Sequence, residues 1–215
     1  MLTFPHCIEQ NELEASLMLS KPPASHPEVP PNRRGFGLTL LTTTRNPARA
    51  ARALYLAPSV APHAFLSGLT AESLAESLGE ERVDPSYYFT ESRWREHRRG
   101  LGLPEEPIPW PGSLDEPYTN LDQLPTGTVG AVALDARGCI SAVTSTGGRT
   151  NKLVGRIGDT PHMGAGFWAE EWERKGFWNR LVAKMKGRSS TMAVGVSGTG
   201  DGDVSGSHDV LCSRI

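Results

Sequence analysis

Gly127-Thr-Val-Gly-Ala-Val-Ala-Leu-Asp-Ala-Arg-Gly-Cys-Ile-Ser-Ala-Val-Thr-Ser-Thr146 alternates small and apolar residues on both sides of the tetrapeptide Asp135-Ala-Arg-Gly138. A period of two interrupted by turn residues predicts two antiparallel strands joined by a tight turn. A hairpin returns on itself, so Thr146 is expected at the end of the sheet where Thr128 enters. Ahead of this hairpin, residues 100–127 are rich in Pro, Gly, Asp and Glu without a sustained period, which predicts a linker. Exposed linkers are where chains are cut. A threonine is a poor nucleophile unless a base sits beside its hydroxyl, and its own α-amine can serve once the residue begins a chain. Thr128 stands at the boundary of linker and strand, where it could become such a residue. Gly127 before it lacks a Cβ, so its backbone is free to take strained conformations of use to a self-cleavage step.

Working outward, Phe36-Gly-Leu-Thr-Leu-Leu-Thr-Thr-Thr-Arg45 is apolar and β-branched and predicts a strand. Asn46-Pro47 follows it and predicts a helix to about Leu56, because Asn accepts an orphan amide and Pro has none to leave unpaired. Further helices are expected over Thr70 to Leu78, around Tyr87 to His97, and over Trp168 to Lys186, where charge spacing is helical with Trp172, Trp178, Leu181, Val182 and Met185 on the apolar side. Lys21 to Arg34 is proline-rich and predicts an exposed loop, and Thr191 to Ser197 predicts a strand. Gly198-Thr-Gly-Asp-Gly202 is expected as a loop that lets backbone approach a ligand closely.

The 215 residues suit one domain. With 22 Lys and Arg against 24 Asp and Glu, no field favours nucleic acid or an anionic membrane, and neither partner is expected. No run of about 20 apolar residues could span a bilayer. The start has neither the basic residues nor the apolar stretch of a signal peptide. Cys7, Cys139 and Cys212 are odd in number and not in metal-ligand spacing, which fits a reducing compartment, so the expected location is cytoplasmic.

Each polar residue has an ordinary reading by itself. Gly127-Thr128 reads as a loop-to-strand junction, Thr146 before Gly147-Gly148 as a turn residue, Arg156 with Asp159 as a surface ion pair, and the final glycine loop as a turn. Together, without further knowledge, they support a soluble α/β domain with an anion site.

Four motifs in order change that weighting: Gly127-Thr-Val-Gly-Ala-Val-Ala-Leu-Asp135, Thr144-Ser-Thr-Gly-Gly148, Gly155-Arg-Ile-Gly-Asp-Thr-Pro161 and Gly164-Ala-Gly166. They closely resemble the β-subunit start of the plant-type L-asparaginases, also called isoaspartyl peptidases, of the N-terminal-nucleophile hydrolases. Upstream, Glu12-Leu-Glu-Ala-Ser-Leu-Met18, Asn46-Pro47 and Tyr88-Phe-Thr-Glu-Ser-Arg93 resemble the family's α-subunit. The resemblance covers residues 11–203 and implies an α+β fold, a four-layer αββα sandwich, made as a precursor and cut between Gly127 and Thr128.

The resemblance also implies roles. Thr128 would attack the side-chain amide of asparagine or of a β-aspartyl peptide and pass through an aspartyl ester, and Thr146 matches the second threonine near the nucleophile. Arg156 matches the residue that grips the substrate α-carboxylate, Asp159 the one that holds its α-ammonium, and Thr199 with Gly200 the pair that lines the oxyanion hole. No organic cofactor is implied. A structural alkali metal cation is, with residues 11–19 as its expected place. The implied partners are a small-molecule or dipeptide substrate and further copies, as a homo-oligomer of processed α/β subunits. Two alternatives stay open: a glycosylasparaginase-like hydrolase, and a non-catalytic remnant of the family.

The chain also departs from the family. No glycine-rich strand segment precedes residues 11–19, so the sheet is expected to be incomplete. Residues 170–188 read as an insertion forming an amphipathic helix. After Asp203 the pattern is lost, and residues 204–215 read as a mistranslated end or a fragment boundary. Absent strands would leave sheet edges open.

Overall fold

The computed structural model describes residues 11–106, 127–173, 185, 191–199 and 209–214. Two sheets form its centre. The first has the order β3-β2-β1-β5-β4, built from β1 (Leu13–Leu19), β2 (Gly35–Leu41), β3 (Phe65–Ser67), β4 (Val129–Leu134) and β5 (Ile140–Thr146). The second has the order β6-β7-β8, from Phe167–Glu173, Thr191–Thr199 and Asp209–Arg214. Helices α1 (Pro47–Leu56) and α2 (Gly68–Ser77) cover the outer face of the first sheet, while β6 and β7 lie on its inner face. The described residues thus form three layers, helix on sheet on sheet, each pair sharing an apolar core.

Alternation along β1 assigns each side chain to a layer. Leu13, Ala15 and Leu17 join Phe36, Leu38 and Leu54 in the core beneath the helices. Met18 points the other way and joins Ile140, Ala142, Phe167, Ala169 and Ala193 between the sheets. The predicted helix start is as expected: Asn46 accepts the Arg49 amide at 3.0 Å and Pro47 opens α1. The other end of α1 is held by Arg33, whose guanidinium donates to the carbonyls of Leu54 and Tyr55, both at 2.9 Å, and lies over the Phe36 ring. The loop expected to be exposed over Lys21 to Arg34 is therefore pinned at its end, with Val29 and Arg33 buried.

Strand β2 stops at Leu41 rather than continuing to Arg45. Leu40 has φ +56° and the pairing with β1 shifts there, so that Leu41 turns into the core. Beyond it, the amides of Thr42, Thr43 and Thr44 all point at Glu72 Oε1 on α2, at 2.7, 2.6 and 3.2 Å. Three amides on one carboxylate oxygen satisfy the backbone that the sheet has released. Burial of Glu72 pushes its pKa up, but the Thr43 and Thr42 amides and the nearby Arg82 outweigh it, and the net shift is downward. A lowered carboxyl pKa contributes stability that is present above about pH 4.3, the unfolded value, and is lost as pH falls through the folded one. Glu72→Gln is expected to lower unfolding free energy at pH 7 by about 1–3 kcal/mol. The gap to the unsubstituted chain should close as pH drops below about 4, as urea unfolding at the two pH values would show.

The helices expected over Thr70 to Leu78 and Tyr87 to His97 occur as α2 and as a 3-10 turn (Pro85–Tyr88) followed by α3 (Glu91–Gly100). The expectation over Trp168 to Lys186 is corrected: residues 167–173 are strand β6, paired residue by residue with β7 from Phe167↔Ser197 to Glu173↔Thr191. Phe167 and Ala169 are buried two apart, a strand period that the surrounding charges concealed. Of the remaining insertion, residues 174–184 and 186–188 lie outside the described residues. At the chain end, residues 209–214, within the tail read as a mistranslated end or a fragment boundary, pair with β7 as β8. Of the expected linker, residues 107–126 lie outside the described residues.

Candidate functional site

The hairpin β4–β5 forms as its sequence predicts. Asp135 closes the turn by accepting the amides of Arg137 and Cys139, both at 2.8 Å, and Gly138 takes φ +77°, a conformation that favours glycine. The register then sets the site. Val129 lies opposite Ser145 and Gly130 opposite Thr144, so continuing by one residue brings Thr128 level with Thr146. On the other side of β5, Thr146 is paired with Glu14 of β1. Thr128, Thr146 and Glu14 therefore form one row across three neighbouring strands.

The row faces the second sheet. Thr144, two residues before Thr146, places its hydroxyl 2.6 Å from Ser197 Oγ and 2.9 Å from the Gly166 carbonyl. A Cβ on Gly130 would stand 1.7 Å from Ser197 Oγ, so only glycine lets the sheets come this close. Moving two residues along each strand leads from Thr144, Gly130 and Ser197 to Thr146, Thr128 and Thr199. All three threonines are thus brought to one end of the space between the sheets, and all three are half-buried. Gly200 lies outside the described residues.

The inter-sheet space is graded along its length. At one end the facing residues are Met18, Ala142, Val132 and Ile140; next come Ser16, Thr144 and Ser197; at the far end stand Glu14, Thr146 and Thr128. Apolar burial secures the sheets at one end, and polar side chains able to bind or react collect at the other. Thr146 Oγ1 accepts the Gly148 amide at 3.0 Å, which fixes that hydroxyl at the turn leaving β5. Ser16 and Thr160 each bury a hydroxyl with no partner among the described residues.

Arg156 and Asp159 come from the connection between β5 and β6, and both are half-buried. This connection runs across the inner face of β1 and β2. The Gly158 amide donates to Glu14 Oε1 at 2.8 Å, and the Pro161 carbonyl lies 2.5 Å from where a Gly37 Cβ would be. Lower down, Met163 reaches Gly35. Gly158 stands between Arg156 and Asp159, so its bond to Glu14 sets both residues beside the threonine row.

Gly127 has no positive φ, and a Cβ there would meet nothing within 4 Å. The residues 11–19 named for a cation include all of β1, whose backbone is paired with β2 on one side and β5 on the other. Just before it, the Glu12 carbonyl accepts Lys152 Nζ at 2.8 Å. Among the described residues no group of three or more His, Cys, Asp or Glu could hold a metal ion, and no helix is long and apolar enough to cross a membrane. Glu14, which sequence reading did not single out, is a carboxylate among Leu13, Ala15 and Leu17 in the motif Glu12 to Met18.

Residues 31–173 match the family model described as asparaginase. Among curated proteins, the chain is 42% identical over 130 residues to the isoaspartyl peptidase of Escherichia coli (strain K12), covering 58% of this chain and 36% of that protein. It is 41% identical over 126 residues to the isoaspartyl peptidase of Salmonella typhimurium, with 58% and 37% covered. With the isoaspartyl peptidase/L-asparaginase of Mus musculus it shares 42% identity over 126 residues, covering 58% and 34%. The chain thus spans about a third of the length of these relatives.

Proposed function

We propose, since this chain belongs to the asparaginase family, that it is a self-processing threonine amidohydrolase acting on L-asparagine and β-aspartyl peptides. The observation that carries the reading is the row of Thr128, Thr146 and Glu14 at the polar end of the inter-sheet space, with Arg156 and Asp159 held beside it through Gly158.

During maturation the Thr128 hydroxyl attacks the Gly127 carbonyl, the peptide nitrogen leaves as the new α-amine of Thr128, and water opens the resulting ester, leaving a carboxylate on Gly127 and restoring the hydroxyl. That amine takes the proton of the Thr128 hydroxyl as the oxygen attacks the substrate's side-chain carbonyl carbon. The amide nitrogen leaves with a proton as ammonia or as the amine of the β-linked peptide. Water then opens the aspartyl ester, returning the hydroxyl to Thr128 and releasing aspartate. Thr146 keeps the neighbouring hydroxyl in place, while Thr199 and Gly200 stabilise the oxyanion that each attack creates. Arg156 receives the α-carboxylate and Asp159 the α-ammonium, so a free amino-acid end on the aspartyl unit is what the site selects. The base is supplied by the chain itself and the reaction calls for no organic cofactor. In this reading the fold is the four-layer αββα sandwich, assembled as a homo-oligomer of processed subunits.

Intact mass spectrometry of the purified chain after prolonged incubation tests the proposal. Two species, one ending at Gly127 and one beginning at Thr128, are expected, together with release of aspartate from a β-aspartyl dipeptide. A single uncut mass with no turnover would sink it.

A further inference from the structure

We propose that Glu14 is a positioning residue that sets the substrate affinity of Arg156 and Asp159 by holding the loop that carries them, an inference that rests on the hydrolase reading above. Glu14 is 1% exposed on the central strand of the larger sheet, facing the second sheet. Its Oε1 accepts the Thr39 hydroxyl at 3.0 Å and the Gly158 amide at 2.8 Å. A carboxyl group removed from water is retained at little cost only when donors meet it, and these two come from opposite sides, one from β2 and one from the loop.

The other oxygen points at the same place. The position of a Cβ on Gly158 lies 2.7 Å from Glu14 Oε2 and 3.7 Å from Arg156 Nη1, so carboxylate and guanidinium both close over one glycine. Gly158 is the residue that permits this approach. Through it, Glu14 fixes the backbone between Arg156 and Asp159 and presents a negative charge near the guanidinium, restricting where its fork of donors can point. The loop has other supports on either side: before Arg156 the Gly155 amide donates to Glu12 Oε1 at 3.5 Å, and beyond it the Asp159 carbonyl packs by Gly166 while Pro161 and Met163 reach β2. Losing Glu14 therefore frees the substrate-gripping part of the loop while leaving the remainder packed. Thr128 is on a different strand, and its attack on Gly127 involves no substrate, so maturation is independent of this anchor.

The test compares the unsubstituted chain with Glu14→Ala and Glu14→Gln by three readouts: the fraction cut at Gly127–Thr128, L-aspartate affinity by calorimetry, and KM against kcat for a β-aspartyl dipeptide. Ala is expected to weaken aspartate binding and raise KM at least about tenfold, with kcat within about threefold and cleavage intact. Gln keeps the acceptor for Gly158 but not the charge beside Arg156, and should lose about three- to fivefold. Should the Ala variant not fold, the Gln variant alone decides, since undiminished affinity there overturns the proposal. Lower thermal stability in both variants with affinity unchanged would likewise overturn it and leave a structural residue. An unsubstituted chain that neither cuts itself nor binds aspartate would overturn the hydrolase reading itself, and this proposal with it.

Discussion

Thr128→Ala is expected to give a single uncut chain and to abolish turnover, with at least about a 10⁴-fold loss of activity. The size follows from what one hydroxyl does. In the proposed reaction it attacks the Gly127 carbonyl during maturation and the substrate carbonyl in every later cycle, and alanine can do neither. Packing should survive, because Thr128 lies just before the edge strand β4 and is half-buried, so removing its hydroxyl opens no core cavity. Circular dichroism unchanged from the unsubstituted chain, alongside one intact mass, would separate lost chemistry from lost fold. Thr128→Ser keeps an oxygen at the same position and should retain slow cleavage. Activity surviving in the Ala variant would remove Thr128 from the mechanism.

Arg156→Ala should raise KM for a β-aspartyl dipeptide by about 30- to 1000-fold, the range for truncating one partner of a buried charged pair. The change belongs in KM because the α-carboxylate is distant from the bond that breaks and is held alike before and during attack. Arg156→Lys keeps the charge but loses the planar pair of donors, so it should recover only part of the affinity. The decisive comparison uses a substrate whose α-carboxylate is capped as an amide. The unsubstituted chain should handle it poorly, whereas the Ala variant should scarcely distinguish the two substrates. An equal preference for the free carboxylate in both chains would place the carboxylate's partner elsewhere.

The hairpin, the capped helix α1 and strand β7 were legible because their signals are local: a two-residue alternation with turn chemistry, a cap followed by proline, and a β-branched run. Strand β1 was hidden by its own position. Buried on both faces between helices and sheet, it carries Glu14 and Ser16 on the inner side, where an apolar run would have been recognised. Strand β6 was misread as helix because Glu170, Glu171 and Glu173 mimic helical charge spacing, and only pairing with β7 decides between the two periods. The threonine row could be anticipated from the hairpin alone, since its register is set by a local turn. The contribution of Glu14 could not, because it depends on β1 pairing with a strand more than a hundred residues away and on Gly158 meeting it from a third segment.

The order β3-β2-β1-β5-β4 has a consequence for a chain severed before Thr128. Within that sheet, the strands on one side of the β1–β5 ladder would belong to one piece and those on the other side to its sibling. The ladder from Glu14↔Thr146 to Leu19↔Ser141 becomes a seam between two polypeptides, and the bond between Glu14 and Gly158 becomes a stitch across it. Maturation would then leave the architecture intact but change its bookkeeping from unimolecular to bimolecular. Dilution would act beside heat and acid as a way to take the molecule apart.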